Sequence, residues 1–513
     1  MPLRIWWEGS RAVADVPPSR LRRVTSEQWV QATADAAAAG GQLLALWATE
    51  DSADPSAVIL RAALQWERGI LVLELPVRDG ARYPGLQEMF PAAARMQRAA
   101  FDLVGARSDD ADMRPWVRHA AWQADTFPLR SGAALPPPPA DVTDAYEFVR
   151  VEGDGVHEIA VGPVHAGTIE PGHFRLSVVG EKVLRLEEHL GYTHKGIERR
   201  FKQLSALEGH RLAARVSGDS AVAFSWAYCQ ALETLSGCVI PKRAALLRGL
   251  CLEIERTQNH IGDLGALGND AGFAFGLAQF SRLKEELLRT VEAALGQRYL
   301  LNAIAPGGTL FDLSVDGLRA LSDQMARLAA ETLHLKGIYD EHAGVRDRFV
   351  GAGQVSPELA RRLGLIGLAG RASGQAFDAR IDLPWPPYDT LVPSKMVRQE
   401  GDVAARVAVR FDELVESCQL VQLILERLPR EAHRIEVGRA AADTLGVGLI
   451  EGWRGPVFVA LEVDASGMIR RCHPHDPSWQ NWPVLEHAIL GNIVPDFPLI
   501  NKSFNLAYSG HDL

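Results

Sequence analysis

Val407-Ala-Val-Arg-Phe411-Asp-Glu-Leu414-Val-Glu-Ser-Cys418-Gln-Leu-Val421-Gln-Leu-Ile-Leu425-Glu-Arg-Leu428 sets the character of most of this chain. Its apolar residues Val407, Phe411, Leu414, Cys418, Val421, Leu425 and Leu428 recur by alternating fours and threes. That spacing covers one face of an α-helix for about six turns. Working outward, Lys242–Leu264 carries a looser stripe through Leu247, Leu250, Ile254, Ile261 and Leu264, with Pro241 just before it, where proline is tolerated. Leu318, Leu321, Met325 and Leu328 mark another helix. These stripes are core contacts and carry no chemistry themselves. Near the end, Pro456–Val463 and Met468–Cys472 flank Asp464-Ala-Ser-Gly467, which signals a hairpin.

The first 130 residues have a different texture. Thr25-Ser-Glu-Gln28 has capping-box spacing ahead of an Ala-rich helix that ends at Gly40-Gly41. Leu43–Thr49, Ala57–Trp66 and Ile70–Val77 read as strands, the last two joined by Glu67-Arg68-Gly69, and Phe90–Val104 reads as a helix. Ser131-Gly-Ala-Ala-Leu-Pro-Pro-Pro-Pro-Ala140 favours an extended connector. The expected class is α+β: an α/β domain at 1–130, a proline-rich linker at 131–150, and a mainly helical body with small β additions at 151–513.

With 513 residues, 47% hydrophobic and 23% charged, the chain has globular composition and room for several cores. Fifty-four Lys and Arg against 64 Asp and Glu leave a net charge of −10, which disfavours nucleic acid as a partner. No apolar run approaches the roughly 20 residues that cross a bilayer. The amino terminus, Met1-Pro-Leu-Arg-Ile-Trp-Trp-Glu8, lacks the apolar region of a secretory signal, so a cytoplasmic location is expected. Cys229, Cys238, Cys251, Cys418 and Cys472 are scattered, with no CxxC. That argues against a disulfide framework, a zinc knot or a thiolate-held cluster.

General chemical motifs are absent. There is no phosphate-binding GxxxxGK[ST] loop, no HExxH and no GxSxG. Gly351-Ala-Gly353 lacks the third glycine of a dinucleotide fingerprint, because Ser356 stands there. His473-Pro-His475-Asp476 has chelating residues, but its place after a hairpin makes a polar turn the preferred reading.

One series of blocks goes further. Val161-Gly-Pro-Val-His165-Ala-Gly-Thr-Ile-Glu-Pro-Gly-His173-Phe-Arg-Leu, Gly180-Glu-Lys-Val and Gly191-Tyr-Thr-His194-Lys-Gly-Ile-Glu198 are followed by Arg256-Thr-Gln-Asn259-His260 and Asn302-Ala-Ile-Ala-Pro306-Gly-Gly308. Then come Gly367-Leu-Ala-Gly-Arg371-Ala-Ser373-Gly374, Asp382-Leu-Pro-Trp-Pro-Pro-Tyr388-Asp389 and Gly401-Asp402…Arg406. In this order they resemble the large subunit of membrane-bound, energy-converting nickel–iron hydrogenases and the quinone-site large subunit of complex I. The head, through Phe90-Pro-Ala-Ala, Phe101-Asp-Leu-Val-Gly and Asp112-Met-Arg114-Pro115, resembles the small peripheral-arm subunit of complex I.

The resemblance implies an oxidoreductase subunit, peripheral on the inner face of the membrane. Its partners would be a small iron–sulfur subunit and membrane-arm subunits, with a quinone or another compound as acceptor and coupling to ion translocation. The alternative is a non-catalytic coupling subunit with a vestigial cavity. Departures from the family's pattern bear on this. The hydrogenases hold nickel and iron through two CxxC pairs; here those positions align with Ser217-Gly218-Asp219-Ser220 and with Ala507-Tyr508-Ser509-Gly510. Soft thiolates suit those metals, and all four are missing, so no metal or other cofactor is expected on this chain. The complex I tyrosine that meets quinone aligns with Gly218, and the histidine aligns with His173. Glu198 aligns with a glutamate that borders the hydrogenase site, where burial would favour a proton carrier; the other reading is a structural ion pair with Arg199, Arg200 or another cation. Asp219 is a candidate for proton or cation traffic, or for capping the next helix. Asp402 and Arg406 read best as an intrahelical ion pair.

Overall fold

The computed structural model describes residues 3–67, 69–118, 122–123, 125–133, 146–165 and 169–513. The proline run of the expected linker lies outside the described residues. In the head, β1 (Arg11–Asp15), β2 (Pro18–Arg23), β3 (Gln42–Glu50), β4 (Ala57–Trp66) and β5 (Gly69–Arg78) form one sheet in the order β1-β2-β5-β4-β3. All neighbours are antiparallel except β2 and β5. β3, β4 and β5 are buried almost throughout, which explains why they read as continuous apolar runs rather than alternating ones. Thr25 caps the helix Ser26–Ala38 with its side chain, and Gln28 returns the bond to the Thr25 amide, closing the capping box.

The body is built on long helices. Lys242–Asp270, Ala274–Leu295, Val315–Glu341 and Val403–Arg427 turn their apolar stripes inward, and where the last three meet, Tyr339 packs edge-to-face on Phe280 and on Phe411. One three-stranded sheet, Val156–Val161, His173–Val179 and Lys182–His189, precedes them. Another, Leu445–Glu451, Pro456–Val463 and Ile469–His475, follows them and packs on the helix Ala221–Ser236. Gly446 and Gly448 allow that approach, since a Cβ on either would come within 2.4 Å of helix carbonyl oxygens.

No strand of the described body pairs by its backbone with the head sheet, yet one apolar core runs through both. The interface between them is polar as well. Arg61 of β4 pairs with Glu74 of β5 at 3.0 Å and with Glu462 of the body at 2.5 Å, all three buried. Gln480 donates to the Leu43 and Leu44 carbonyls, and Arg471 donates to that of Ala48.

The strand Ile469–His475 corrects a sequence expectation. His473 and His475 are not in a polar turn; they end a buried strand, and the turn begins only at Asp476. Asp402 and Arg406 do not form the expected intrahelical pair. Asp402 caps Val403–Arg427 through the Ala405 amide and accepts from the Gly351 amide. Arg406 turns to Ser503 and to the Gly353 and Gly401 carbonyls.

Candidate functional site

Segments from opposite ends of the body meet at one guanidinium. Arg454 lies in a turn after Leu445–Glu451, where Gly452 and Gly455 bond to each other through their backbones. Its Nη1 donates to Asp219 Oδ1 at 3.0 Å and to Ser220 Oγ at 3.3 Å, and its Nη2 donates to Asp219 Oδ2. Its Nε donates to the Asn505 carbonyl at 2.5 Å, so the same side chain also grips the carboxyl-terminal segment. Ser217 adds a hydroxyl donor to Asp219 Oδ1 at 2.6 Å. Burial alone would raise the Asp219 pKa; the Arg454 charge and the Ser217 hydrogen bond outweigh it and bring it down to about 2. Asp219 is therefore a carboxylate at neutral pH.

Asp476 forms the opposite wall. It accepts from the Ser478 amide at 2.8 Å, and the Ser478 hydroxyl accepts from the Ala507 amide at 2.9 Å. A Cβ placed on Gly510 would lie 2.6 Å from Asp476 Oδ2 and 3.0 Å from the Ala507 Cβ. Gly510 leaves room for that carboxylate and for nothing larger. Burial raises the Asp476 pKa in spite of Arg454 nearby. On the outer side Gly218 is exposed, with nothing within 4 Å of where its Cβ would be, so the pocket opens there. Lys195 closes the floor: its amide donates to the Leu513 carbonyl at 3.0 Å and its Nζ to that of Val216 at 2.8 Å.

Ser217–Ser220 and the carboxyl-terminal segment thus converge on Arg454, which bonds to Asp219, Ser220 and the Asn505 carbonyl, while Asp476 fills the space beside Gly510 and Ala507. Tyr508 packs against Trp482, and His511 stacks on Trp479 at 4.0 Å. His173 begins its strand beside the Phe148 ring, opposite His189. Glu198 is held in a different cluster at the head–body interface. It pairs with Arg471 at 2.6 Å and His473 at 2.7 Å rather than with Arg199 or Arg200, which donate to the Ala133 and Lys195 carbonyls. Burial would raise its pKa, but Arg471 and His473 prevail and lower it to about 2. Asp219 does not cap the following helix. Glu255 does, accepting from the Val222 amide at 2.6 Å and the Ala223 amide at 3.1 Å.

The comparisons with known proteins fit this architecture. Residues 270–446 match the family described as the respiratory-chain NADH dehydrogenase 49 Kd subunit. Formate hydrogenlyase subunit 5 of Escherichia coli (strain K12) is 33% identical over 444 residues, 84% of this chain and 77% of that protein. Hydrogenase-4 component G of the same organism is 31% identical over 452 residues, covering 86% and 78%. This chain belongs to the large-subunit family shared by those hydrogenases and complex I. Another of its relatives, NADH-quinone oxidoreductase subunit 4 of Thermus thermophilus, is 29% identical over 377 residues, 68% of this chain and 92% of that protein. Among solved structures, a chain of the archaeal membrane-bound sulfane sulfur reductase superposes with a TM-score of 0.66 at 23% identity, covering 70% of this chain and 99% of that one. The shared fold reaches most of the body.

Within this large-subunit member, all five cysteines are free and none lies in either pocket segment. Among the described residues, no group of three or more His, Cys, Asp or Glu side chains is arranged to hold a metal ion, and no helix is long and apolar enough to cross a membrane. Three pocket residues are not evident from the sequence. Arg454 has a signal, a lone arginine in Gly452-Trp-Arg-Gly455 right after a strand. Asp476 is hidden by the expectation of a polar turn around it. Glu170, whose Oε2 accepts from the Ser509 amide at 3.0 Å, sits inside a family block without a distinguishing neighbour.

Proposed function

We propose that this chain is the large subunit of a membrane-associated oxidoreductase complex that works without a nickel–iron centre. The observation that carries this reading is Arg454, bonded to Asp219, Ser220 and the Asn505 carbonyl between the two segments that align with the hydrogenase cysteine pairs. A guanidinium only donates and stays protonated, so Arg454 cannot stand in for a missing thiolate as a metal ligand. Ser217, Ser220, Ala507 and Gly510 offer no thiolate and do not fit a nickel–iron cluster.

In this reading electrons come from a neighbouring iron–sulfur subunit. A small acceptor of quinone class enters past Gly218, and Arg454 meets its oxygen. Purification of the native complex with elemental analysis and identification of its co-purifying subunits tests this. The expected result is iron attributable to a small subunit and no stoichiometric nickel; nickel retained through a chelator wash overturns it.

A second reading, a coupling subunit without turnover, is favoured by the fact that Asp219 and Arg454 already satisfy each other. The variant Arg454→Met separates the two. Loss of quinone-analogue reduction by the complex supports the redox role, and unchanged reduction supports the coupling role.

A further inference from the structure

Behind the pocket, the helical body buries a network of charged groups with no part in the reading above. Glu253, Arg256, Arg371, Asp378, Arg380, Glu413 and Glu451 are each at most 2% exposed. Arg380 binds Asp378 through two nitrogens and reaches Glu253 at 3.1 Å. Glu253 also accepts from Tyr388, Ser417 and Arg256. Arg371 bonds to Glu413 at 2.9 Å and to Glu451 at 2.8 Å, and Glu413 meets Arg256 at 3.7 Å and His260 at 3.1 Å. Four carboxylates therefore face three guanidiniums, leaving one negative charge without a counter-ion. An uncompensated buried charge is costly, and the usual remedy is to bind a proton.

We propose that this network carries one proton at neutral pH, that Glu451 holds it, and that its hold is linked to the charge in the Arg454 pocket. Glu451 is the least compensated member. It touches one guanidinium nitrogen, of Arg371, and one backbone donor, the Ala379 amide at 3.1 Å. The other three carboxylates each meet at least two charged or hydroxyl donors. Burial and the neighbouring Asp378 push the Glu451 pKa up to about 7 against the pull of Arg371 and Arg256, whereas burial lowers that of His260, the competing site.

The connection to the pocket is short. Arg256 holds the carbonyls of Glu451 at 2.7 Å and Gly452 at 3.0 Å, and the indole of Trp453 donates to the Asp219 carbonyl at 2.9 Å. Three residues of chain span at most about 11 Å between Cα atoms, and the side chains carry the charges somewhat farther apart. At about 15 Å, with an effective dielectric of about 20, one unit charge still moves the pKa of another group by a fraction of a unit. A change of charge at Asp219 and Arg454 thus alters proton occupancy at Glu451. This deepens the functional reading above, because a redox step in the pocket then takes up or releases a proton behind it.

The test is an infrared titration of the purified full chain, without partners or acceptor, following the carbonyl stretch of protonated carboxylic acid. Failure of the functional reading leaves that measurement intact. In a Glu255→Gln background, which removes the other buried carboxyl that titrates near neutral pH, a band titrating near pH 7 is expected and is lost when Glu451→Gln, an isosteric change checked for folding by its thermal melt, is added. In Glu413→Gln, which balances the network, the midpoint should fall. In Asp219→Asn, which removes a negative charge near Arg454, it should fall by a resolvable fraction of a unit. The absence of a titrating band in the Glu255→Gln background overturns the proposal, as does its persistence once Glu451→Gln is added. An unmoved midpoint in Asp219→Asn overturns the linkage.

Discussion

Gly510 and Asp219 show how single residues fix the chemistry open to the pocket. A cysteine at 510 places its Cβ 2.6 Å from the Asp476 carboxylate, so a thiol cannot be restored there unless Asp476 moves. Gly510→Cys is expected to cost about 1–3 kcal/mol through overpacking, read by urea unfolding; a cost near zero would show that Asp476 yields freely. Glu198 gives a prediction of opposite character to Glu451. Its folded pKa is depressed to about 2, so the stability it contributes is present above its unfolded value and is lost as pH falls through the folded one. Glu198→Gln should therefore destabilise at neutral pH by about 3 kcal/mol and lose that deficit in acid. A deficit that persists at the lowest pH reached before acid unfolding would place the loss in packing instead.

Elements whose signal is local are legible in the sequence. The Thr25–Gln28 box and the stripe from Val407 both describe a helix against its own neighbours, and both ends of Ser26–Ala38 fall within two residues of expectation. The strand Leu445–Glu451 is missed because Gly446 and Gly448 interrupt its apolar run, and Ile469–His475 is cut off because His473 and His475 look solvent-facing by composition. Their polarity belongs to an interface that only tertiary structure creates. The helix Ala221–Ser236 illustrates the same point. Ser220 makes no capping bond, and the first amides are satisfied by Glu255 from another helix. Burial raises the Glu255 pKa to about 8 although those amides oppose it. Stability from a raised carboxyl is complete below its unfolded pKa and disappears as pH rises through about 8. Glu255→Gln, which cannot ionise, should thus lose less stability than the native chain between neutral and alkaline pH. Parallel pH–stability curves for the two proteins would sink this account.

At the scale of the whole molecule, the family is readable from ordered blocks, but the pocket is readable only in part. The family pattern points to Ser217, Asp219, Ser220, Ala507 and Gly510; nothing in their spacing announces that Arg454 binds two of the three segments that meet there. The docking of head on body is equally hidden, since Arg61 lies in a strand pattern that reads as plain core. That arginine yields the last prediction. It stands between Glu74 and Glu462, while Glu462 keeps a second partner in Arg470. Arg61→Met strands two buried carboxylates with one cation between them, and should cost about 3–5 kcal/mol. Glu462→Met costs less, because Arg61 retains Glu74. The double change Arg61→Met with Glu462→Met still leaves Glu74 without its cation, so it should recover only the part of the loss that belongs to Glu462, giving a coupling energy of roughly 2 kcal/mol in a double-mutant cycle. Amide exchange should localise the single-variant defect to β3, β4, β5 and Pro456–Val463, the strands that the ion pair joins. If the two changes simply add, the head is held by its apolar contacts and the ion pair contributes nothing to docking.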